Sequence, residues 1–357
     1  MWWALPMLTI SWLVLIATVV AGSVMVGWWE TAPGSASEVS PRLSFSRDAA
    51  KVARYPSDNS VLFVTAYGSQ LTALESFIGL LDDDVAVESK LQRFGHQSPG
   101  AQRRLGFQAM VGAKQLAEYV ALKRLGYDVQ LNLGAIVVEE TICEAQPKAD
   151  SACKRLKPGD VIESVDGTDT PTVQELVPVL AERKAGDVVS VVVHTLNANP
   201  NATRRTEKVR LIASPDDPKR TIVGINPADT RTVVVPFEVG ISTAAIGGPS
   251  AGLAFTLALL DELTPGNLMG RLRVATTGTI SEDGTVGAIG ALRQKTVAVR
   301  RAGAKVFLVP KSQSAAELAA AREAAGKAVT IVPVGTLDEA LAALRKYGGG
   351  VLPNPKK

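Results

Sequence analysis

The stretch Gly247-Gly248-Pro249-Ser250-Ala251-Gly252-Leu253-Ala254-Phe255 sets a serine between Gly-Pro and Ala-Gly, and an apolar helical pattern follows at once. That pattern runs through Leu253, Ala254, Leu257, Ala258 and Leu260 and is stopped by Pro265-Gly266. Ser250 is therefore expected in the first turn of a buried helix, beside free backbone N–H groups and the positive end of the helix dipole. Negative charge developing on a substrate oxygen is stabilised in such a place. Serine is also a favoured helix N-cap, and these residues by themselves leave both readings open. Gly248-x-Ser250-x-Gly252 satisfies the nucleophile-elbow pattern of α/β-hydrolases, but those enzymes need a histidine after the serine. The last histidine is His194, so a Ser-His-Asp triad is excluded.

A serine nucleophile without histidine needs another base, and a lysine serves if desolvation makes its neutral form accessible. The lysines after Ser250 are Lys295, Lys305, Lys311, Lys327, Lys346, Lys356 and Lys357. Lys295 shares a helical face with Leu292, Thr296, Val299 and Ala302, while Arg293, Arg300 and Arg301 point elsewhere. A lysine on an apolar stripe is either a snorkelling surface residue or a functional one.

The elements that must position these side chains alternate between strand and helix from 220 to 347. Strands are expected at 233–235, 238–241, 273–276, 305–309 and 329–332. Helices are expected after Ser250 and at 292–301, 315–324 and 337–347, with turns at Gly278, Asp283-Gly284 and Gly287. This is an α/β pattern. Residues 131–214 have a different texture, β-rich with frequent turn signals. Leu133-Gly134-Ala135-Ile136 opens a strand, Leu156-Lys157-Pro158-Gly159-Asp160-Val161-Ile162 leads into the tight turn Val165-Asp166-Gly167, and a helix over 172–183 precedes the β-branched strand 188–193. Cys143 and Cys153 flank a polar loop in this region, and a disulfide or two separate thiols are both open.

Ahead of it, residues 1–29 carry no charged side chain. The run Leu5 to Val26 is long enough to span a bilayer, with Trp2-Trp3 and Trp28-Trp29 as aromatic belts. A cleaved signal peptide would lack its basic start, so an uncleaved anchor over 1–29 is expected. The positive charges Arg42, Arg47, Lys51 and Arg54 follow the span, and charge bias leaves its orientation open. A linker with Pro33-Gly34-Ser35 and Pro41, a buried strand at 60–67, and helices at 71–81 and 101–125 make up a region 30–130 in which no chemistry is legible.

Composition narrows the function classes. The chain has 357 residues, 46% hydrophobic and 20% charged, enough for two or three domains with real cores. A net charge of +3 without a basic stripe gives no footprint for nucleic acid, so no nucleic-acid partner is expected. Two cysteines and two histidines make a metal site improbable, and neither metal nor cofactor is expected.

Gly-Pro-Ser250-Ala-Gly, Thr277-Gly278-Thr279-Ile280 and Gly284-x-Val286-x-x-Ile289-Gly290-x-Leu292-x-x-Lys295 together resemble the proteolytic domain of Lon proteases. The resemblance implies Ser250 as nucleophile, Lys295 as general base and Thr277 as the residue that positions the lysine, with Gly248 and Pro249 supporting the turn. Here Ala244-Ala245-Ile246 stand where relatives commonly carry an acidic residue, and Gly290-Ala291 where Gly-Gly is usual. The β-rich region resembles a PDZ domain. That implies a carboxylate-binding loop at Leu133, Gly134, Ala135 and Ile136, with an extended peptide added as a strand beside 135–139 and under the helix 172–183. In order, the chain is similar to membrane-anchored PDZ–Lon-type (YlbL-like) bacterial proteases. The expected organisation is a transmembrane anchor at 1–29, an N-terminal extracytoplasmic region at 30–130, a PDZ-like domain at 131–214, a Lon-type α/β (α+β) proteolytic domain at 220–347 and a flexible tail at 348–357. The resemblance implies a single-pass protein of the cell membrane with its C-terminal domains extracytoplasmic, acting on protein or peptide substrates, and a homo-oligomer. No Gly-x4-Gly-Lys-Ser/Thr run occurs, so ATP-independent cleavage is expected. An inactive PDZ adaptor at the membrane is the alternative.

Overall fold

The computed structural model describes residues 4–47, 49, 52–57, 59–95, 98–143, 146–196, 199–214 and 217–352, the side chains of 4–6, 101 and 133 excepted. Among the described residues two main sheets organise the chain. The first is seven-stranded, in the order Thr330–Val334, Val306–Pro310, Val274–Thr276, Leu62–Tyr67, Met25–Glu38, Gln70–Thr72, with Ala86–Ser89 also pairing Met25–Glu38. Val274–Thr276 runs parallel to both Val306–Pro310 and Leu62–Tyr67, while Met25–Glu38 closes against Leu62–Tyr67 antiparallel.

Strand periodicity sorts the apolar side chains of this sheet onto two faces. Val61, Phe63, Val306 and Leu308 pack with the helix Gly252–Leu263. Leu62, Val64, Phe307 and Val309 pack on the other side with Leu292, Ala298 and Val299 of the helix Leu292–Arg301. The serine-bearing and lysine-bearing segments therefore lie on opposite faces of one sheet. Every residue of Gly252–Leu263 is buried, because the sheet covers one side and the long helix Pro99–Arg124 covers another through Met110, Ala117, Val120 and Ala121.

The second sheet is antiparallel, in the order Arg205–Arg210, Val188–Thr195, Asp160–Val165, Gln130–Thr141, Ile225–Val234, with Thr168–Asp169 pairing Asp160–Val165. Asp166 and Gly167 both take positive φ at the tight turn the sequence marks. The helix Val173–Ala181 covers this sheet through Leu176 and Leu180, and a disulfide joins Cys143 to Cys153.

Several expectations change. The N-terminal helix is Ala4–Ser23. It stops short of Val26 because Met25–Glu38 is drawn into the sheet, where its backbone groups pair with three neighbouring strands. Trp28-Trp29 thus lies on a strand and not at a helix end, and the Trp29 ring meets Phe94 edge-on at 4.6 Å; Trp2-Trp3 lies outside the described residues. Among the described residues no helix is long and apolar enough to cross a membrane. Pro33-Gly34-Ser35 is no linker. It sits in the strand at a register shift between Pro33 and Ala36, where proline is tolerated, and a Cβ on Gly34 would come within 2.6 Å of the Thr65 carbonyl oxygen.

The expected boundaries also fall. Residues 30–130 are not a separate region, since their strands and long helix complete the sheet and core of the C-terminal domain. The expected start at 220 misses that Ile225–Val234 belongs to the β-rich sheet. The start of the expected tail is held, with Gly349 N–H donating to Leu344 O at 2.9 Å and Gly350 N–H to Asn267 O at 2.7 Å; residues 353–357 lie outside the described residues.

Asp261 is buried in the serine helix and accepts the Leu268 N–H at 2.7 Å. Burial pushes its carboxyl up to about 6. A folded-state value above the unfolded one means that the folded protein holds this proton more tightly, so the group's penalty is full above pH 6 and is relieved as pH falls through that value. Asp261→Asn is expected to stabilise the fold by ~1–2 kcal/mol at pH 8, with the gain closing by about pH 4–5 in denaturation curves.

Candidate active site

Ser250 occupies the turn immediately before the helix Gly252–Leu263, whose N-cap is Ala251. Two close approaches set that turn. Gly248 has φ of 95° and its N–H donates to Gly106 O in the long helix at 2.7 Å. A Cβ on Gly247 would meet the Gly106 carbonyl carbon at 3.0 Å, so bulk is excluded where the loop crosses that helix. Pro249 O accepts from Gly252 N–H at 3.1 Å and closes the turn. Among the described residues no backbone acceptor takes the Ser250 or Ala251 amide hydrogen, which leaves two donors beside the Ser250 hydroxyl at the positive end of the helix.

Thr277 follows the central strand Val274–Thr276 directly. Its backbone N–H donates to Leu308 O at 3.1 Å and its hydroxyl to Ser250 O at 3.1 Å, while Gly278 N–H donates to the same Ser250 carbonyl at 2.8 Å. The end of the strand thus grips the serine backbone. Lys295 comes from the opposite face. Its Nζ lies 2.8 Å from Ser250 Oγ and 3.5 Å from Thr277 Oγ1, donating to both, and the residue is only 5% exposed. Among the described residues no carboxylate forms an ion pair with it. Burial alone pushes the Lys295 ammonium down to about 8. The arrangement can take a proton from Ser250 near neutral pH, which is the chemistry a serine nucleophile without histidine requires.

The structure brings Ser250, Lys295, Thr277, Gly248 and Pro249 into one site. The helix that carries Lys295 starts at Leu292, after Ala291 in a left-handed conformation with φ of 58°. The position where Gly-Gly is usual in relatives is therefore one that favours glycine. The preceding loop is held by Gln313, whose side chain accepts from Ile289 N–H at 2.7 Å and donates to Ile289 O at 3.1 Å. Sequence reading passed over Gln313; its one signal is a glutamine after an apolar strand, and that is weak.

Beside the serine turn lies a cavity of about 550 Å³. Pro249, Thr279 and Ile280 line it on the site's side, Leu105, Gln108, Gly112 and Leu116 from the long helix, and Ala228–Arg231 with Glu139 from the β-rich sheet. The region 30–130, in which no chemistry was legible, thus supplies one wall of the cavity beside the serine turn.

The expected peptide groove is corrected. Leu133, Gly134, Ala135 and Ile136 lie far along the chain from the serine, on Gln130–Thr141, and both edges of that strand are occupied at Ile136 and Val137. Ile136 pairs with Ile162 on one side and with Asp229 on the other, and Leu133 pairs with Arg231. The chain's own strand Ile225–Val234 fills the position beside 135–139, and Asp229 Oδ1 accepts the Val173 N–H at the start of the covering helix at 2.8 Å. Strand addition by another peptide at that edge is blocked because its hydrogen bonds are already made.

Residues 224–346 match the family model for the Lon protease (S16) C-terminal proteolytic domain. The chain is similar to the Lon protease of Trichlorobacter lovleyi, 42% identical over 133 residues, covering 37% of this chain and 16% of that protein. It is also similar to that of Chloroflexus aggregans, 32% identical over 118 residues, covering 33% of this chain and 14% of that protein. The likeness thus spans less than a fifth of those relatives' length. Among solved structures, the PDZ domain of the SdrC-like protein from Listeria monocytogenes is 19% identical with a TM-score of 0.21, covering 28% of this chain and 93% of its own. At that score the likeness decides nothing about this chain.

A lysine whose folded-state value lies below its ordinary 10.5 destabilises the fold when charged. The penalty is full below pH 8 and fades as pH rises toward 10.5. Lys295→Met is expected to raise stability at pH 7 by ~1–3 kcal/mol, read by chemical denaturation, with a smaller gain at pH 10.

Proposed function

We propose that this chain is an ATP-independent serine endopeptidase that uses a Ser250–Lys295 dyad. The observation that carries the reading is the uncharged-prone amine of a buried lysine set 2.8 Å from a serine hydroxyl. In the neutral state Lys295 accepts the Ser250 Oγ proton as Oγ attacks the scissile carbonyl. The tetrahedral oxyanion is held by the backbone N–H groups of Ser250 and Ala251. The lysine then gives its proton to the departing amine, and an ester joins the acyl fragment to Ser250. Water, losing its proton to the same lysine, attacks the ester, and the proton returns to Oγ as the carboxyl product leaves. Thr277 holds the serine backbone and keeps an oxygen toward Lys295 Nζ. Its role is to position.

Unfolded or membrane-associated protein segments fit as substrates, because the chain carries no Gly-x4-Gly-Lys-Ser/Thr run to drive ATP-dependent unfolding. The Ala4–Ser23 helix is part of the same proposal, as an anchor that holds the chain at the cell membrane with its body on the extracytoplasmic side. The helix has no charged residue, and Met7, Leu8, Ile10, Trp12, Leu13 and Val20 are more than half exposed. The disulfide Cys143–Cys153 accords with an oxidising compartment. A homo-oligomer rests on the likeness to Lon alone.

The test is cleavage of casein without ATP, followed by mass spectrometry. Ser250→Ala and Lys295→Ala are each expected to lower the rate at least ~10³-fold while the protein still folds. Wild-type kcat/KM is expected to rise with pH through about 8 as the lysine loses its proton. Cleavage near the wild-type rate in either variant would remove the dyad. No cleavage by any form, with no labelling of Ser250 by a serine-reactive probe, would favour the adaptor reading.

A further inference from the structure

The helix that carries Lys295 begins with its donors open. Leu292–Arg301 is ten residues long, and its N-cap, Ala291, offers no side-chain cap. Among the described residues nothing accepts the N–H groups of Leu292, Arg293 and Gln294; the first N–H with a partner is that of Lys295, which donates to Ala291 O at 2.9 Å. A pocket of about 420 Å³ opens over this first turn, lined there by Gly290, Ala291 and Gln294. The space at the loop is free, since a Cβ on Gly290 would meet no atom within 4 Å.

The side chains of the pocket point to the same kind of ligand. Gln294 is only 7% exposed, yet its side-chain amide has no hydrogen-bond partner among the described residues and faces the pocket. A buried amide left in that state is costly, and a ligand oxygen would relieve it. Gln102, from the long helix, brings a second amide without a partner among the described residues. Arg93 and Glu88 also line the pocket and pair with each other at 3.3 Å. That pair cancels its own charge and leaves the positive end of the helix uncompensated. Backbone donors, free amides and a positive field together suit a carboxylate.

The pocket also lies close to the dyad. Ala291 precedes Lys295 by four residues, about 6 Å along the helix. On the long helix Gln102 stands one turn before Gly106, which accepts the Gly248 N–H of the serine loop at 2.7 Å. Leu105, Ala109, Gly112 and Leu116, which line the cavity beside Pro249, continue the stripe that starts at Gln102. The serine loop therefore crosses the long helix between Gln102 of this pocket and Gly112 and Leu116 of that cavity.

We propose that the pocket at the head of the lysine helix binds a carboxylate of the substrate on the leaving-amine side, so that the chain cuts about two or three residues ahead of that carboxylate, at ~3.3 Å per extended residue. The inference rests on the Ser250–Lys295 protease reading, in which Lys295 gives its proton to the departing amine and the residues after that amine run toward the lysine helix. The carboxylate is a free chain end or an Asp or Glu side chain, since both offer the same two oxygens to the donors of Leu292, Arg293 and Gln294.

The experiment uses the full chain carrying Ser250→Ala, so that binding is read without turnover. Three alanine–leucine octapeptides carry the same neutral fluorophore at the amino end: one ends in a free carboxylate, one in an amide, and one in an amide with a single aspartate near that end. Anisotropy titrations are expected to show the free-carboxylate or the aspartate peptide binding at least ~10-fold tighter than the plain amide, and the tighter of the two names the source. Adding Gln294→Glu, which keeps the side chain's size and sets a like charge in the pocket, is expected to remove the difference. Gln102→Glu, at an exposed position, gives the same reading should Gln294→Glu not fold. Equal binding of the three peptides, binding of none, or a preference that survives these variants would overturn the proposal, and casein cleavage by the wild type would still leave the dyad standing. A carboxylate preference lost in the variants, in a protein whose wild type cleaves nothing, would keep the carboxylate site and remove the protease reading.

Discussion

The site depends on keeping one amine out of water. Lys295 lies almost wholly buried, with the Ser250 and Thr277 hydroxyls as its hydrogen-bond partners among the described residues. A buried ammonium without a counter-charge is costly, and the cost appears as a proton held more weakly than in solution. A carboxylate partner would relieve that cost and restore the proton, which would leave the serine without a base. The polar partners of the lysine among the described residues are neutral oxygens, and its burial costs stability.

Meeting that constraint requires two helices from opposite faces of one sheet to converge. Gly252–Leu263 and Leu292–Arg301 are separated by the sheet along most of their length. They approach only past the carboxyl end of Val274–Thr276, where the strand stops and Thr277-Gly278 turns to grip the serine carbonyl. Open α/β sheets place ligand chemistry at such strand ends for this reason. The strand end is also where the N-terminal third of the chain enters. Leu62–Tyr67 lies next to Val274–Thr276 in the sheet, and Gly106 of the long helix accepts from the serine loop. The site is a property of the whole sheet and not of residues 220–347 alone.

The β-rich part contributes through the strand Ile225–Val234, which lies along Gln130–Thr141. Its own segment occupies the edge that a ligand strand would use, so the part acts here as a clamp on the chain. Residues 228–231 of the same strand also line the cleft beside Pro249 and Ile280. Any peptide that reaches Ser250 through this cleft would run between that strand and the long helix.

The sequence alone determined the elements that local pattern controls. The bounds of Leu292–Arg301 follow from periodicity, and those of Val306–Pro310 and Ala315–Ala325 follow to within one residue. Ser250 and Lys295 stand out by loop chemistry and helix face, while Thr277 and the roles of all three came from the resemblance to the Lon proteolytic domain. It did not reveal that Met25–Glu38 is a strand. Its tryptophans, Pro33 and Gly34 read as a membrane border and a linker, and only pairing with Leu62–Tyr67 and Ala86–Ser89 makes an extended chain stable there. Nor did it reveal that Ile225–Val234 would cross to the other sheet. Strand partners far apart in sequence leave no periodic signal, since each strand satisfies its hydrogen bonds with whichever edge the folded core brings beside it. For the same reason the burial of Lys295, and with it the state of its proton, was decided only when both faces of the sheet closed around it.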